Sequence, residues 1–358
     1  MIQNIPKDKL VDYFPLFEEI KHLKNILAFI SARGIVDGYV DDLKNPNIIF
    51  IGGYLAGDKN SPLLKDILNK IPEKMFIRVS GPEWEPLLKN HWELFGYITR
   101  TSFSTRNLSL NHIRNLIQPL PEGFTLETVD LETVKLLEEE WPRGDEWIEH
   151  CGGPAGFVKD TVNYCIKKGK KVVSMVVGDL AAVPITNSIE LDIYTLPEYR
   201  GRGFASLACA KFIEHCLEQG IEPHWDAANA RSVKLALKLG YTDPVPYKCY
   251  YWRSEPWTKT ELQNIFDQPY ERISKEIEEF KSSVETLLSS NQANKARNIT
   301  TKTCSKLVMS LELISSDIDR LIETGIVYKP DVPYFEEYAV KIHKQVEDLR
   351  NFVTARMI

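Results

Sequence analysis

The sequence predicts an α/β (α+β) architecture: two α/β segments in tandem, each a mixed sheet flanked by helices, followed by an all-α helical extension. Three observations predict it. From residue 1 to about 253, apolar runs with the period of strands alternate with runs of helical period, the pattern of a mixed sheet covered by helices. A helix closed by Gly-aromatic and followed by a strand occurs twice, in Leu87 to Tyr97 with Ile98 to Phe103, and in Val233 to Tyr241 with Tyr247 to Trp252. After Ser254 glycine nearly disappears and apolar residues recur by threes and fours. The expected domains are therefore 1–115, a degenerate copy of the second; 116–253, the segment that carries the chemistry; and 254–358, a helical bundle.

In the first segment, Leu16, Ile20, Leu23, Ile26, Leu27 and Ile30 share one broad helical face, which predicts a helix from Leu16 to Ile30. Strands are predicted at Asn47 to Gly53 and Lys74 to Val79, with a helix between them at Pro62 to Ile71. The second segment reads as a helix at Leu131 to Glu140, strands at Lys171 to Val177 and Ile189 to Thr195, and a helix at Gly203 to Glu218. A short strand at Pro223 to Ala227 and a helix at Ala230 to Leu239 follow. Gly96 and Gly240 fit the left-handed position just past a helix C-terminus.

Three heptad stripes fill the tail: Phe266, Tyr270, Ile273, Ile277, Phe280, Val284, Leu287; Cys304, Leu307, Leu311, Ile314, Ile318, Leu321; and Ala339, Ile342, Val346, Leu349, Val353. Pro269, Gly325, Pro330 and Pro333 punctuate them. Three such helices bury their stripes on one another as a bundle. Homodimerisation through these helices, a lid over the acceptor and a docking surface are all left open.

A chain of 358 residues is expected to hold two or three domains. Its 43% hydrophobic and 26% charged content is that of a soluble globular protein. A net charge of −6 argues against a nucleic-acid partner and is compatible with a cationic, amine-bearing one. No apolar run has the roughly 18 to 20 residues that span a bilayer, so no membrane partner is expected. The start MIQNIPKDKL lacks the features of a secretory signal. The six cysteines, Cys151, Cys165, Cys209, Cys216, Cys249 and Cys304, show no CxxC spacing, which points to reduced structural thiols in a cytoplasmic protein and to no metal site.

The chemistry is concentrated in Glu190-Leu-Asp-Ile-Tyr-Thr-Leu-Pro-Glu-Tyr-Arg200-Gly-Arg-Gly-Phe-Ala205. A strand runs into a tight loop with Gly201 and Gly203, and the loop into a helix N-terminus. Such a loop turns several N–H groups toward one point and, with the helix dipole, makes a site for pyrophosphate oxygens. Gly203 permits close approach of the backbone, Ala205 keeps the first turn small, and Arg200 and Arg202 add charge of a type suited to phosphate. Neither GxxxxGK[ST] nor GxGxxG is present. The same spacing also fits a plain β–α turn with two solvated arginines.

Arg200-Gly-Arg-Gly-Phe-Ala205 after this strand resembles the [QR]xxGx[GA] pyrophosphate motif of the GNAT superfamily of acetyltransferases. Pro223-His-Trp-Asp-Ala-Ala-Asn229-Ala-Arg-Ser232, ending in Leu-Gly-Tyr241, is similar to that superfamily's following strand and helix. The wording resembles the two-part branch that includes antibiotic self-resistance acetyltransferases such as the zwittermicin-resistance enzyme, and Val40-Asp-Asp-Leu-Lys-Asn-Pro46 resembles that branch's leading domain. The resemblance covers residues 1 to about 253. It implies a GNAT-type sheet, in tandem with a degenerate copy, that splays open near Ile193 to Leu196. It also implies acetyl-CoA as co-substrate. Thr195 and Leu196 would flank its pantetheine arm, and the amides of Arg200, Gly201, Arg202, Gly203, Phe204 and Ala205 would cradle its pyrophosphate. Asn229 and Ser232 match positions that contact the coenzyme near its thioester, although both also suit a helix N-cap.

Acetyl transfer to an amine needs a neutral amine near the thioester, donors for the developing oxyanion and a proton for the leaving thiolate. Candidate bases are Glu190 and Asp226, with His224 behind them. Glu190, Asp192 and Tyr194 share a strand face. Many GNAT enzymes place an acidic tyrosine seven residues after the asparagine; here that position is Ala236, so Tyr194, Tyr241 or water would substitute. Trp141, Trp147 and Gly152 to Gly156 precede the second sheet, and Asp145, Glu146 and Glu149 accompany them as candidate walls of an amine site or as an ordinary helix edge. Gly52-Gly-Tyr-Leu-Ala-Gly-Asp-Lys59 is read as the first segment's counterpart of the loop, following a strand and preceding a helix without the motif's spacing. The expected activity is N-acetylation of a primary amine on a small molecule, an antibiotic or toxin in a self-resistance setting. Acetylation of a protein or peptide, and a non-catalytic acyl-CoA-binding regulatory module, are the alternatives.

Overall fold

The computed structural model of the protein describes residues 1–20, 24–141, 144–290 and 292–357, with the backbone alone at 24–26, 138–140, 144–146 and scattered positions beyond. The first half holds β1 (Gln3–Asn4), a 3-10 helix (Lys7–Phe17), α1 (Lys24–Arg33), β2 (Gly38–Val40), β3 (Ile48–Ile51) and β4 (Tyr54–Gly57). It continues with α2 (Leu64–Leu68), β5 (Arg78–Val79), α3 (Trp84–His91), β6 (Phe95–Ser104) and α4 (Leu110–Leu116). The second half holds β7 (Phe124–Glu127), α5 (Leu131–Glu140), α6 (Gly144–His150), α7 (Pro154–Asp160), β8 (Thr161–Lys168), β9 (Lys171–Asp179) and α8 (Val183–Thr186). After these come β10 (Ser188–Thr195), α9 (Phe204–Glu218), β11 (Glu222–His224), β12 (Asp226–Ala227), α10 (Ala230–Leu239) and β13 (Thr242–Trp252). The tail is α11 (Lys259–Ser289), α12 (Ala293–Glu323) and α13 (Val332–Met357).

Both halves build the same sheet. β1-β2-β3-β4-β5 and β7-β8-β9-β10-β11 each have four successive antiparallel strands and a fifth that joins parallel to the fourth. A helix links the fourth strand to the fifth in each copy, and another follows the fifth before a last strand. Two copies of a mixed sheet with identical order and direction are the tandem arrangement expected from sequence. The last strands do not stay with their own copies. β6 of the first half lies between β12 and β13 of the second in a three-stranded sheet, with Asp226 opposite Ser102 and Ala227 opposite Thr101.

Side-chain packing follows the exchange. Phe103 of β6 and Ile113 of α4 are buried in the second half's core with Phe204, Phe212, Trp225 and Tyr241. Arg114 of α4 donates to Glu214 (2.9 Å) and Glu218 (2.6 Å) of α9. The strand exchange is fixed by a buried ion pair. Arg100 Nε on β6 donates to Asp226 Oδ2 at 2.7 Å and its Nη2 to the Asp226 carbonyl at 3.1 Å, while Tyr247 of β13 donates its hydroxyl to the same Oδ2 at 2.8 Å. A second clamp joins the halves where Arg33 of α1 forks onto both oxygens of Asp179 at the end of β9, at 2.8 to 3.3 Å.

The chain groups into two compact units. One unit comprises Met1–Pro72, Phe76–Leu87 and Thr99–Cys249, so most of both α/β halves belongs to it; the other comprises Glu73–Met75, Leu88–Ile98 and Tyr250–Ile358. In the latter, the three stripes form one core, with Phe266, Ile273, Ile277, Leu307, Leu311, Ile318, Ile342 and Leu349 buried together. Thr258 and Glu261 close a capping box at the start of α11.

Several local expectations are corrected. The span 16–30 is not one helix: a 3-10 helix ends at Phe17, α1 starts at Lys24, Leu16 is exposed, and Leu23 lies outside the described residues. A proline at 15 favours the tighter helix there, because its missing N–H and its ring oppose a continuous α-helix. Gly52 and Gly53, with φ of 51° and 91°, form a two-residue hairpin turn between β3 and β4, so the stretch to Gly57 is a strand rather than a loop before a helix. Pro269 lies inside α11, not at its start. Gly96 belongs to β6, whereas Gly240 does cap α10 in the left-handed region (φ 100°).

Replacing Arg100 with Met leaves the Asp226 carboxylate buried without its cation, a loss of about 3–5 kcal/mol for such pairs. The R100M variant is expected to melt lower in a thermal scan. The double variant R100M/D226L is expected to recover much of that loss, since a shape-matched apolar pair carries no stranded charge.

Candidate functional site

The site forms where β10 parts from β11. β11 pairs with β10 only from Ser188↔Glu222 to Glu190↔His224, and the chain then turns at Trp225 and pairs with β6 instead. β10 runs on to Thr195 with β9 on one side only. The Leu196 N–H bonds to the Val173 carbonyl (3.0 Å), so alternation along an antiparallel strand sends the main-chain groups of Leu191, Ile193 and Thr195 to the other, open edge. This is an unpaired strand edge inside the fold, able to accept an extended ligand as an added strand would be accepted.

At the end of that edge the backbone bends through a 3-10 turn (Pro197–Tyr199) and the loop 200–203 into α9. Gly201 and Gly203 take φ of 78° and 86°, and no atom lies within 4 Å of where a Cβ would stand on either. Gly203 is the N-cap and offers no side chain, so the amides of Phe204, Ala205 and Ser206 precede the first helical bond, from Leu207 N–H to the Gly203 carbonyl. Ser206 adds a buried hydroxyl without a partner. Unfilled space before a fan of N–H groups at a helix N-terminus fits a diphosphate. The two arginines behave differently from the expectation. Arg200 folds back, its Nε donating to the Thr195 carbonyl (2.9 Å) and its guanidinium lying 5.4 Å over Tyr194; Arg202 lies 5.3 Å over Tyr199. Arg200 therefore fixes the turn out of β10, and Leu196 turns its amide toward β9, leaving Thr195 at the open edge.

At the opposite end, where β10 and β11 separate, Glu190, His224 and Asp226 come together. Glu190 Oε2 is hydrogen-bonded to His224 Nδ1, and Glu190 Oε1 accepts the Asp226 N–H at 3.2 Å. Burial opposes a charge on His224, but the Glu190 carboxylate and its hydrogen bond, with Asp226 behind them, outweigh it and hold the imidazole above its ordinary value of 6.5. Asp226 Oδ2 is occupied by Arg100 and Tyr247, and its Oδ1 is buried without a partner.

The remaining candidates divide. Asn229 caps α10, its side chain accepting from Ser232 N–H (3.1 Å), and Ser232 Oγ accepts from Trp225 Nε1 (2.9 Å). Ala236 is fully buried, and Tyr241 is enclosed with its hydroxyl donated to the Pro223 carbonyl at 2.9 Å. Tyr194, half-buried, packs edge-on to Trp141 at 5.6 Å, and Trp147 Nε1 donates to Asp192 at 3.1 Å, so the face of alternate β10 residues meets α5 and α6. Glu149 is exposed, and the side chains of Asp145 and Glu146 lie outside the described residues. Sequence reasoning missed Arg78, Arg100, Tyr54 and Tyr247, all gathered around Asp226. The available signal was a lone arginine in each of two otherwise apolar or neutral strand runs, Phe76-Ile-Arg-Val79 and Tyr97-Ile-Thr-Arg-Thr-Ser102.

Comparison with known proteins gives a consistent picture. The profile of the GNAT acetyltransferases matches residues 15–250. The uncharacterized N-acetyltransferase YdfB of Bacillus subtilis (strain 168) is 28% identical, over 70% of this chain and 98% of its own length. The crystal structure of a GCN5-related N-acetyltransferase-like protein from Streptococcus suis 89/1591 superposes with a TM-score of 0.51 at 26% identity, covering 66% of this chain and all of that one.

The Glu190–His224 pair makes a definite prediction for titration. Glu190→Gln removes the carboxylate that does most to raise the imidazole and leaves burial opposed only by Asp226 and Glu222, so the His224 pKa is expected to fall relative to the wild type in an NMR titration. Because the folded-state value is raised, the stability it brings is full below the unfolded imidazole value and is lost as pH rises through the raised one. In E190Q that loss on raising pH is expected to shrink.

Proposed function

We propose that this chain, which belongs to the GNAT acetyltransferase family, transfers an acetyl group from acetyl-CoA to a primary amine of a small molecule. The single observation that carries the reading is the open edge of β10 running straight into the loop 200–203 and the N-terminus of α9, a strip for an extended arm with a diphosphate seat at its end. The coenzyme supplies the thioester acetyl group. The chain's own residues supply the rest. The amides of Phe204, Ala205 and Ser206, with the Ser206 hydroxyl, hold the diphosphate; Arg200 keeps the Thr195 carbonyl in place; and main-chain groups of Leu191 and Ile193 align the arm.

Glu190 and His224 lie where the strands part, at the inner end of that strip. An ammonium must lose a proton before its nitrogen can attack, and Glu190, hydrogen-bonded to His224 and backed by Asp226, is the group placed to receive it through water. The C–N bond then forms as the C–S bond breaks. The sulfur leaves with the electron pair and takes one amine proton, and one further proton is released per turnover. With Ala236 in place of a tyrosine and the Tyr241 hydroxyl committed to Pro223, Tyr194 or water delivers the proton to sulfur. Likeness to self-resistance acetyltransferases supports an antibiotic or toxin as the acceptor. The six buried free thiols, with burial pushing Cys165 and Cys216 up to about 12, support a cytoplasmic setting. Ile265 and Val340, 47% and 66% exposed on α11 and α13, support self-association through the tail, which light scattering of the full chain tests.

Gly203→Glu places a carboxylate and a Cβ in the diphosphate seat at a φ of 86°. Acetyl-CoA affinity measured by calorimetry is expected to drop roughly a hundredfold or more, about 2.7 kcal/mol. Undiminished affinity in G203E overturns the coenzyme site. Mass spectrometry of amines incubated with protein and acetyl-CoA is expected to show a gain of one acetyl group, and no gain across a broad amine panel overturns the activity.

A further inference from the structure

A second feature lies beside Glu190 and Asp226, and neither the coenzyme strip nor the base accounts for it. Arg78, the first residue of β5, is fixed by its N–H to the Gly53 carbonyl (2.7 Å) and is 9% exposed. Its guanidinium lies 5.2 Å over the ring of Tyr54, its neighbour on β4, and its Nε is buried with no acceptor. The carboxylates nearby are already committed: Asp226 Oδ2 to Arg100 and Tyr247, Glu190 to His224 and to the Asp226 amide. The Tyr54 hydroxyl, fully enclosed, is also without a partner, as is Asp226 Oδ1. The Tyr247 ring packs against the core cluster that contains Tyr54, and its hydroxyl donates to Asp226 at 2.8 Å, so these groups form one neighbourhood.

Two orphaned donors and one orphaned acceptor in a single buried cluster are the complement of a molecule that carries both signs. A guanidinium cannot shed its proton to escape burial, and a buried polar group without a partner is costly. We propose that the acceptor is an amine that also bears a carboxylate, an amino-acid-type molecule. Its carboxylate is held by the Arg78 guanidinium and the Tyr54 hydroxyl, and its amine faces Asp226 Oδ1 and Glu190.

An amine without an acid leaves the Arg78 guanidinium stranded, whereas a carboxylate on the acceptor gives its buried Nε an acceptor. Arg78 comes from the first half of the chain, so the copy that lacks the diphosphate loop contributes the specificity group. This reading rests on acetyl transfer as the activity and names the substrate class for the same site.

The test pairs the standard L-amino acids with their α-carboxamides, in full-length wild type, Arg78→Met, Arg78→Lys and Tyr54→Phe. Thiol release and thermal shift in the presence of acetyl-CoA are both measured. The wild type is expected to prefer an acid over its amide by roughly thirtyfold in kcat/KM, the scale of one charge-assisted interaction. R78M is expected to bring that ratio near one, chiefly by raising KM for the acid, while Y54F and R78K lower it by roughly threefold to tenfold. Acetyl-CoA affinity by calorimetry is expected to be unchanged in all three, which also reports an intact fold. If R78M fails to bind the coenzyme, the R78K and Y54F ratios decide. An acid-to-amide ratio near one in the wild type, a ratio the variants leave unchanged, or no response to any acid in either assay overturns the proposal. If acids raise the melting temperature of wild type but not of R78M while no amine is ever acetylated, the transfer activity is overturned and the carboxylate site stands. If amides and simple amines are acetylated equally well in R78M and wild type, the reverse holds.

Discussion

The buried pair of Arg100 and Asp226 is the constraint on which the site depends. It holds Asp226 on β6 at the point where the chain leaves β10 after His224 and the two strands separate. A continuous β11 would have paired with β10 along its length and closed the edge. The pair is paid for by desolvation, since the Asp226 side chain is fully enclosed and the Arg100 side chain 16% exposed. Two bonds from one guanidinium, to the side chain and the carbonyl of the same residue, with a third from Tyr247, supply the geometry that makes such a pair tenable.

The tandem architecture then acquires a physical reason. Neither half is self-contained, because β6 and α4 complete the second half's core and sheet. The exchange gives β6 a partner on each side, and strand edges left open invite pairing with other chains. Tyr54 and Arg78 stand on the fourth and fifth strands of the first copy, as Glu190 and His224 stand on the fourth and fifth strands of the second. The same topological position thus carries an acid–imidazole pair in one copy and an arginine–phenol pair in the other.

Loop chemistry differs between the copies for a related reason. After β10 the chain has a 3-10 turn, two glycines with positive φ and a 15-residue helix whose first amides are open. β4 ends on Gly57, where a Cβ would meet the Asn47 carbonyl at 2.1 Å, and the five-residue α2 follows. The glycine there relieves a close backbone approach instead of opening a seat for a ligand, and a helix that short has little dipole to offer.

The sequence by itself determined the periodic elements and the glycine loop. α5 and α10 fall where their apolar periods and caps put them, the three stripes of the tail become one core, and the expected open loop stands at Gly201 and Gly203. These follow from local propensity, capping and backbone sterics, which act over a few residues and are written in order along the chain. Only the tertiary structure decided that Pro223 to Ala227 is two strands in two sheets, that β6 crosses into the other copy, and that Arg200 braces β10. It alone gathered Arg78, Arg100, Tyr54 and Tyr247 around Asp226, residues as far as 126 positions apart in the case of Arg100. Pairing between distant strands is set by which faces can be buried together and which charges must find partners once water is gone. Neither condition leaves a periodic mark on any one segment.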